Sequence, residues 1–119
     1  MRAAVLLALA LAGCSRHEGP VDGAAVFKPC ASCHQVGPNA RGGFGPQLNG
    51  LFGRRAGSTS DFAYSDAMKA SGIVWDDKTL VEYLTNPKGR VPGTKMVYAG
   101  LKQEAQRADM IAFLRKATQ

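Results

Sequence analysis

Histidine occurs only twice in this chain of 119 residues, cysteine three times and tryptophan once. So few nitrogen and sulfur ligands weigh against a structural zinc site, which takes four. A zinc site built on Cys30 and Cys33 would have to recruit Cys14 and His17, and both lie in a leading segment that reads as targeting. No βαβ patterning surrounds the cysteine pair, which disfavours a thioredoxin-like redox site. There is no basic run and no cluster of stacking aromatics, so nucleic acid ranks last among partners. The long apolar run, Ala3 to Gly13, is too short to cross a bilayer as a helix. What is present is a chain of one-domain length with room for a modest core. It carries 15 Lys and Arg against 9 Asp and Glu, a formal charge of +6. A basic surface of this kind suits an acidic protein or an anionic lipid.

The stretch that organises the chain is Cys30-Ala31-Ser32-Cys33-His34. It reads as a c-type haem attachment site. Two thiols at this spacing can each form a thioether to one vinyl group of a single porphyrin. The residue after them then brings an imidazole toward the ring centre, where it can bind iron. A simple disulfide would leave His34 without a role. One covalently held haem c would supply a large part of the apolar interior.

The chain begins Met1-Arg2 and then runs without a break through small and apolar residues to Gly13, the shape of a secretory signal. Leu11-Ala12-Gly13-Cys14 resembles a bacterial lipoprotein signal, which is cut before the cysteine and acylated on its thiol. This gives the odd cysteine a purpose. The expected organisation is a signal peptide over 1–13, a lipid-anchor cysteine with a short tether over 14–21, and one domain over 22–119. The seven residues from Ser15 to Val21 reach at most about 25 Å, which would hold the domain on the periplasmic side of a bacterial membrane. His17 lies in this tether and is expected to be solvated. Ordinary cleavage would instead leave a soluble periplasmic protein.

Local signals then alternate between helix and loop. Asp22 can cap a short helix whose face is Gly23, Val26, Phe27 and Cys30, and Pro29 should end or bend it. Gly23 on that face predicts a second element crossing at close range. Gly37, Pro38, Gly42, Gly43, Gly45 and Pro46 mark loop. A ligating histidine usually gives its second ring N–H to a carbonyl, and Pro46 offers one on a stiff backbone. Ser65 or Asp66 can cap another helix that Gly72 ends. Asp76 and Asp77 precede a Leu80, Tyr83, Leu84 face, and Pro87 should stop that helix. Met110, Phe113, Leu114 and Ala117 form the core stripe of a last helix over Gln103 to Lys116. It should pack near Gly23 and Phe27.

Iron held by His34 needs a second axial ligand or keeps an open site. The candidates are Met68, Met96, Met110, His17 and the lysines. Met96 is set apart by Val91-Pro92-Gly93-Thr94-Lys95-Met96, a stiffened loop suited to presenting one side chain.

Further stretches follow one another in a familiar order: Gly45-Pro46-Gln47-Leu48, Gly50-Leu51-Phe52-Gly53-Arg54 and Tyr64-Ser65-Asp66-Ala67. Then come Gly72-Ile73-Val74-Trp75, Tyr83-Leu84-Thr85-Asn86-Pro87 and Pro92-Gly93-Thr94-Lys95-Met96. From about Gly23 to Thr118 the chain resembles the class I cytochromes c, in the branch of mitochondrial cytochrome c and its bacterial counterparts. The resemblance implies an all-α fold of about four helices, with long loops around one covalent haem. It implies His34 and Met96 as axial ligands. It also implies Tyr64 and Trp75 as hydrogen-bond donors to haem propionates, Arg54 as their neutralising charge, and Tyr83 beside the axial methionine. Met68 departs from the Asn common in mitochondrial members, and Tyr98 from a Phe. Lys28, Lys88, Lys95 and Lys102 flank the expected haem edge and would steer acidic partners.

The implied function is one-electron carriage between a quinol-oxidising cytochrome complex and a terminal oxidase, by a monomer that is not an enzyme. Filled axial positions favour that role, since His/Met ligation raises the potential and leaves no vacancy. A peroxidase-like enzyme or a ligand sensor would need an open or labile position instead.

Overall fold

The computed structural model describes residues 22–119. The signal over 1–13, Cys14, and the tether with His17 lie outside the described residues.

Among the described residues five α-helices form where about four are expected. α1 is Gly23–Phe27, α2 Asp66–Ala70, α3 Asp77–Thr85, α4 Pro87–Arg90 and α5 Glu104–Ala117. The extra helix comes from Pro87, which does more than end α3. Asn86 closes α3 with its N–H on Glu82, then accepts from the Gly89 N–H at 3.1 Å and so opens α4. Proline fits the first position of a helix, where its missing N–H would have no partner in any case. α1 is shorter than its apolar stripe implies. It stops at Phe27, and Cys30 falls in a separate 3-10 turn, Cys30–Ser32, after Pro29. Of the other caps, Asp22 and Ser65 are ones the sequence offers, whereas Asp76 is expected there only as an acid that suits the helix dipole. Asp22 accepts from the Ala25 N–H, Ser65 from that of Met68, and Asp76 forms a reciprocal capping box with Thr79.

α1 and α5 cross tightly. A Cβ on Gly23 would lie 2.7 Å from the Asp109 carbonyl oxygen and 2.7 Å from Phe113 Cβ. Beside that crossing the Phe27 and Phe113 rings stand 4.8 Å apart. Met110 and Leu114 continue the contact into the core with Leu80 and Tyr83 of α3 and with Leu51, Ile73 and Trp75 from the loops. On the outer side, Arg115 of α5 pairs with Asp77 of α3 and lies over the Phe52 ring at 4.6 Å. The loop around Arg54 is pinned by a single antiparallel bridge between Arg55 and Val74, with Ala56 N–H on Ile73 at 2.8 Å and Trp75 N–H on Arg54 at 3.0 Å. These contacts wall a cavity between the helices and the long loops.

Candidate functional site

Cys30, Cys33, His34, Arg54, Tyr64, Trp75, Tyr83 and Met96 all line this one cavity of about 420 Å³. Their surroundings are mostly apolar: Phe27, Leu48, Leu51, Met68, Leu80, Met110 and Leu114 also face it. The volume is within the range of small-molecule and cofactor sites. Among the described residues no Asp or Glu borders it, and His34 is the one imidazole in its lining.

His34 is placed by both neighbours in space. The Cys33 N–H closes the 3-10 turn onto the Cys30 carbonyl at 3.1 Å, and the His34 backbone N–H donates to the same oxygen at 2.9 Å. Its ring Nδ1 lies 2.8 Å from the Pro46 carbonyl oxygen. A carbonyl can only accept, so Nδ1 carries the proton and Nε2 keeps its lone pair for another partner. Burial pushes the imidazole below its ordinary pKa. The Pro46 carbonyl works in the other direction, and Arg54 adds to the lowering. The neutral ring is the form that ligates. Gly45 leaves it room: a Cβ there would lie 2.8 Å from ring Cε1.

Met96 is placed through Thr94. Tyr83, buried in α3, shares a 2.7 Å hydrogen bond between its hydroxyl and Thr94 Oγ1, and Met96 donates its backbone N–H to the same oxygen at 3.3 Å. Burial pushes the Tyr83 phenol up, against the bond to Thr94. Thr94 is a residue that sequence reasoning passes over. Its signal was available, since a threonine two residues before a loop side chain commonly bonds the backbone ahead of it.

The polar end of the cavity fits a carboxylate-bearing group. Arg54 is half-buried and donates from Nη1 to the Asn49 carbonyl at 3.0 Å. Burial lowers its pKa, while Tyr64 and Asp61 work against that shift. No carboxylate pairs with it among the described residues. Tyr64 shares a 2.6 Å hydrogen bond with Thr59. Trp75 is buried, its ring 5.2 Å from that of Tyr83. A half-buried guanidinium without an ion-pair partner suits an anion, and a haem presents propionates. The apolar walls, the paired thiols and the neutral imidazole suit the rest of that group.

The four expected docking lysines are all exposed. Two are also tied down. Lys95 Nζ donates to the Ala63 carbonyl at 2.8 Å, and Lys102 Nζ to that of Thr85 at 2.6 Å. Of the four, Lys95 borders the cavity.

Comparison with known proteins agrees with this geometry. A family model described as cytochrome c matches residues 20–118. The cytochrome c2 of Rhodomicrobium vannielii is 60% identical over 95 residues, which cover 80% of this chain and 76% of that protein. The cytochrome c of Theileria annulata is 56% identical over 100 residues, 83% of this chain and 86% of the other. Among solved structures, cytochrome cH from Methylobacterium extorquens superposes with a TM-score of 0.75 at 41% identity, covering 80% of this chain and 95% of that one. The chain therefore belongs to the cytochrome c family, as a class I, all-α member that holds haem c covalently and carries electrons on it.

Proposed function

We propose that this protein is a one-electron shuttle that accepts electrons from a quinol-oxidising cytochrome complex and delivers them to a terminal oxidase. One observation carries the reading: His34 and Met96 border the same cavity, and each is fixed by a hydrogen bond to a residue of its wall, Pro46 and Thr94. Haem supplies one reversible electron at its iron. Cys30 and Cys33 would hold it through thioethers, and His34 and Met96 would ligate the iron. The Pro46 carbonyl would keep the His34 lone pair aimed inward. Arg54, Tyr64 and Trp75 would meet the propionates, and Tyr83 with Thr94 would steady Met96.

Two fixed side chains at the iron favour transfer over catalysis, because a substrate ligand has no free position. Among the described residues no carboxylate lines the cavity that could act as a distal acid or base. This supports a carrier over a peroxidase-like enzyme or a sensor.

On this reading Cys14 carries a lipid and holds a monomeric domain on the periplasmic side of a bacterial membrane. Mass spectrometry of the mature chain decides that point. An unmodified N-terminus away from Cys14 would remove the anchor.

The test of the site is the optical spectrum of the purified holoprotein, reduced, with and without carbon monoxide. A low-spin c-type spectrum indifferent to carbon monoxide is expected for the wild type, and carbon monoxide binding for Met96→Ala. Binding by the unaltered protein would overturn the carrier assignment.

A further inference from the structure

Tyr64 reaches the polar end of the cavity from the non-helical loop between Gly57 and Ser65. Its ring meets Phe62 edge-on, with centroids 5.0 Å apart and planes at 83°. The loop is tied to other segments on either side of Phe62. Asp61 Oδ2 accepts the Gly42 N–H at 2.6 Å, and the Ala63 carbonyl accepts from Lys95 Nζ at 2.8 Å. These contacts hold the ring, but a held ring still has a hydroxyl that can turn. Thr59 acts on that last freedom, since its Oγ1 lies 2.6 Å from the Tyr64 hydroxyl oxygen. Phe62 and Tyr64 line the cavity, and Thr59 does not. It reaches the site only through Tyr64.

Tyrosine and threonine hydroxyls can each donate one proton or accept one, so the pair can run in either direction. The surroundings choose the direction. Arg54 and Trp75, joined through their backbones at 3.0 Å, also line the cavity, and their side chains can only donate. Lys95 adds a second cation to the lining. Asp61, on the same loop as Tyr64, lies outside the lining and spends its carboxylate on Gly42. A wall of donors suits a carboxylate, and Tyr64 can meet one only with its proton, because a lone pair turned that way would face negative charge. Tyr64 must then accept from Thr59. Thr59 Oγ1 makes its one hydrogen bond among the described residues with Tyr64. A hydroxyl that accepts in such a chain is also a stronger donor.

We propose that Thr59 is a positioning residue for the propionate site: it donates to the Tyr64 hydroxyl and so turns the Tyr64 proton into the cavity, toward a haem propionate. The proposal rests on the placing of Tyr64 at the propionates and adds the residue that aims it. Its consequence is electrostatic. By offsetting part of a propionate's negative charge, the pair weakens the pull of that charge on the more positive, oxidised iron. Thr59 therefore holds the reduction potential up without touching the haem.

The experiment measures the midpoint potential of the haem-loaded protein at neutral pH, with a melting temperature for each variant. Wild type, Thr59→Val, Thr59→Ser, Tyr64→Phe and the double variant Thr59→Val with Tyr64→Phe are compared. Thr59→Val keeps the shape of the side chain and removes its hydroxyl, so it should lower the potential. Thr59→Ser restores the hydroxyl and should return the potential to that of wild type. Tyr64→Phe should lower it further. Adding Thr59→Val to Tyr64→Phe should then move the potential no more, because the two residues act as one unit. The proposal is overturned if Thr59→Val keeps the wild-type potential, whatever its melting temperature, since Thr59 would then only support the loop. It is overturned equally if Thr59→Ser behaves as Thr59→Val does, or if Thr59→Val lowers the potential as much with Tyr64→Phe as without it. If Tyr64→Phe itself leaves the potential unmoved, Tyr64 does not serve the propionates, and the proposal falls with that placing.

Discussion

His34 Nδ1 lies 2.8 Å from the Pro46 carbonyl oxygen, and the residue between Phe44 and Pro46 has no side chain to obstruct that contact. A Cβ on Gly45 would stand 2.8 Å from ring Cε1, 3.0 Å from Nδ1 and 3.2 Å from the Cys33 carbonyl oxygen. The ring is held at one nitrogen and the Cys33 carbonyl already accepts the Gly45 N–H at 3.0 Å, so neither can retreat cheaply. Gly45→Ala is therefore expected to cost about 1–3 kcal/mol by overpacking. Thermal unfolding of the holoprotein checks the cost. The optical spectrum checks whether the displaced imidazole still ligates.

The crossing of α1 and α5 gives a second glycine test with an internal control. Gly23→Ala drives its Cβ into the Asp109 backbone and Phe113 Cβ, both at 2.7 Å. Separating the two helices should again cost about 1–3 kcal/mol. Gly43→Ala meets nothing within 4 Å, and its backbone lies outside the left-handed region. It should be neutral or stabilise by about 0.4–1 kcal/mol through the unfolded chain. Equal melting temperatures for the two variants would count against the tight crossing.

Much of this arrangement was legible in the sequence because it rests on local chemistry. The Cys30-to-His34 spacing, the caps at Asp22 and Ser65, and the stripe through Met110 and Leu114 each state their purpose within a few residues. Gly23 was readable as a crossing point because a glycine on an apolar helical face has few other uses. The exposure of Phe44 was not readable, since an aromatic between glycines is as compatible with a core as with a rim. The Tyr83–Thr94 bond joins two loosely related positions that only tertiary structure brings together. The start of α4 at Pro87 is not legible, because proline signals both the end of one helix and the first residue of the next.

Acid should act on the α3–α4 junction through Glu82. Its carboxylate pairs with Lys78 one turn back and with Arg90 Nε at 2.9 Å. Lys78 first and Arg90 second hold the Glu82 carboxyl below its ordinary pKa. A carboxyl depressed on folding adds stability that is fully present above its unfolded value and is lost as pH falls through the folded one. Glu82→Gln should therefore melt below wild type at neutral pH. The gap should close as pH falls from about 4.3, the ordinary glutamate value, through the depressed one. Melting curves between neutral pH and acid check the sign, and a gap that widens in acid would refute it.

Thr94 offers the sharpest separation of structure from ligation. Its hydroxyl meets Tyr83 at 2.7 Å and the Met96 N–H at 3.3 Å. Thr94→Val keeps the shape of the side chain and removes both bonds. An unpaired hydroxyl on buried Tyr83 should cost about 1–3 kcal/mol. Thr94→Ser restores the hydroxyl and should restore most of that stability. The two variants should also differ at the iron. With Met96 no longer tied by its N–H, reduced Thr94→Val should bind carbon monoxide faster than wild type, while Thr94→Ser should stay near wild type. If both variants lose stability but neither admits carbon monoxide, Thr94 supports the core around Tyr83 and does not hold Met96 in place.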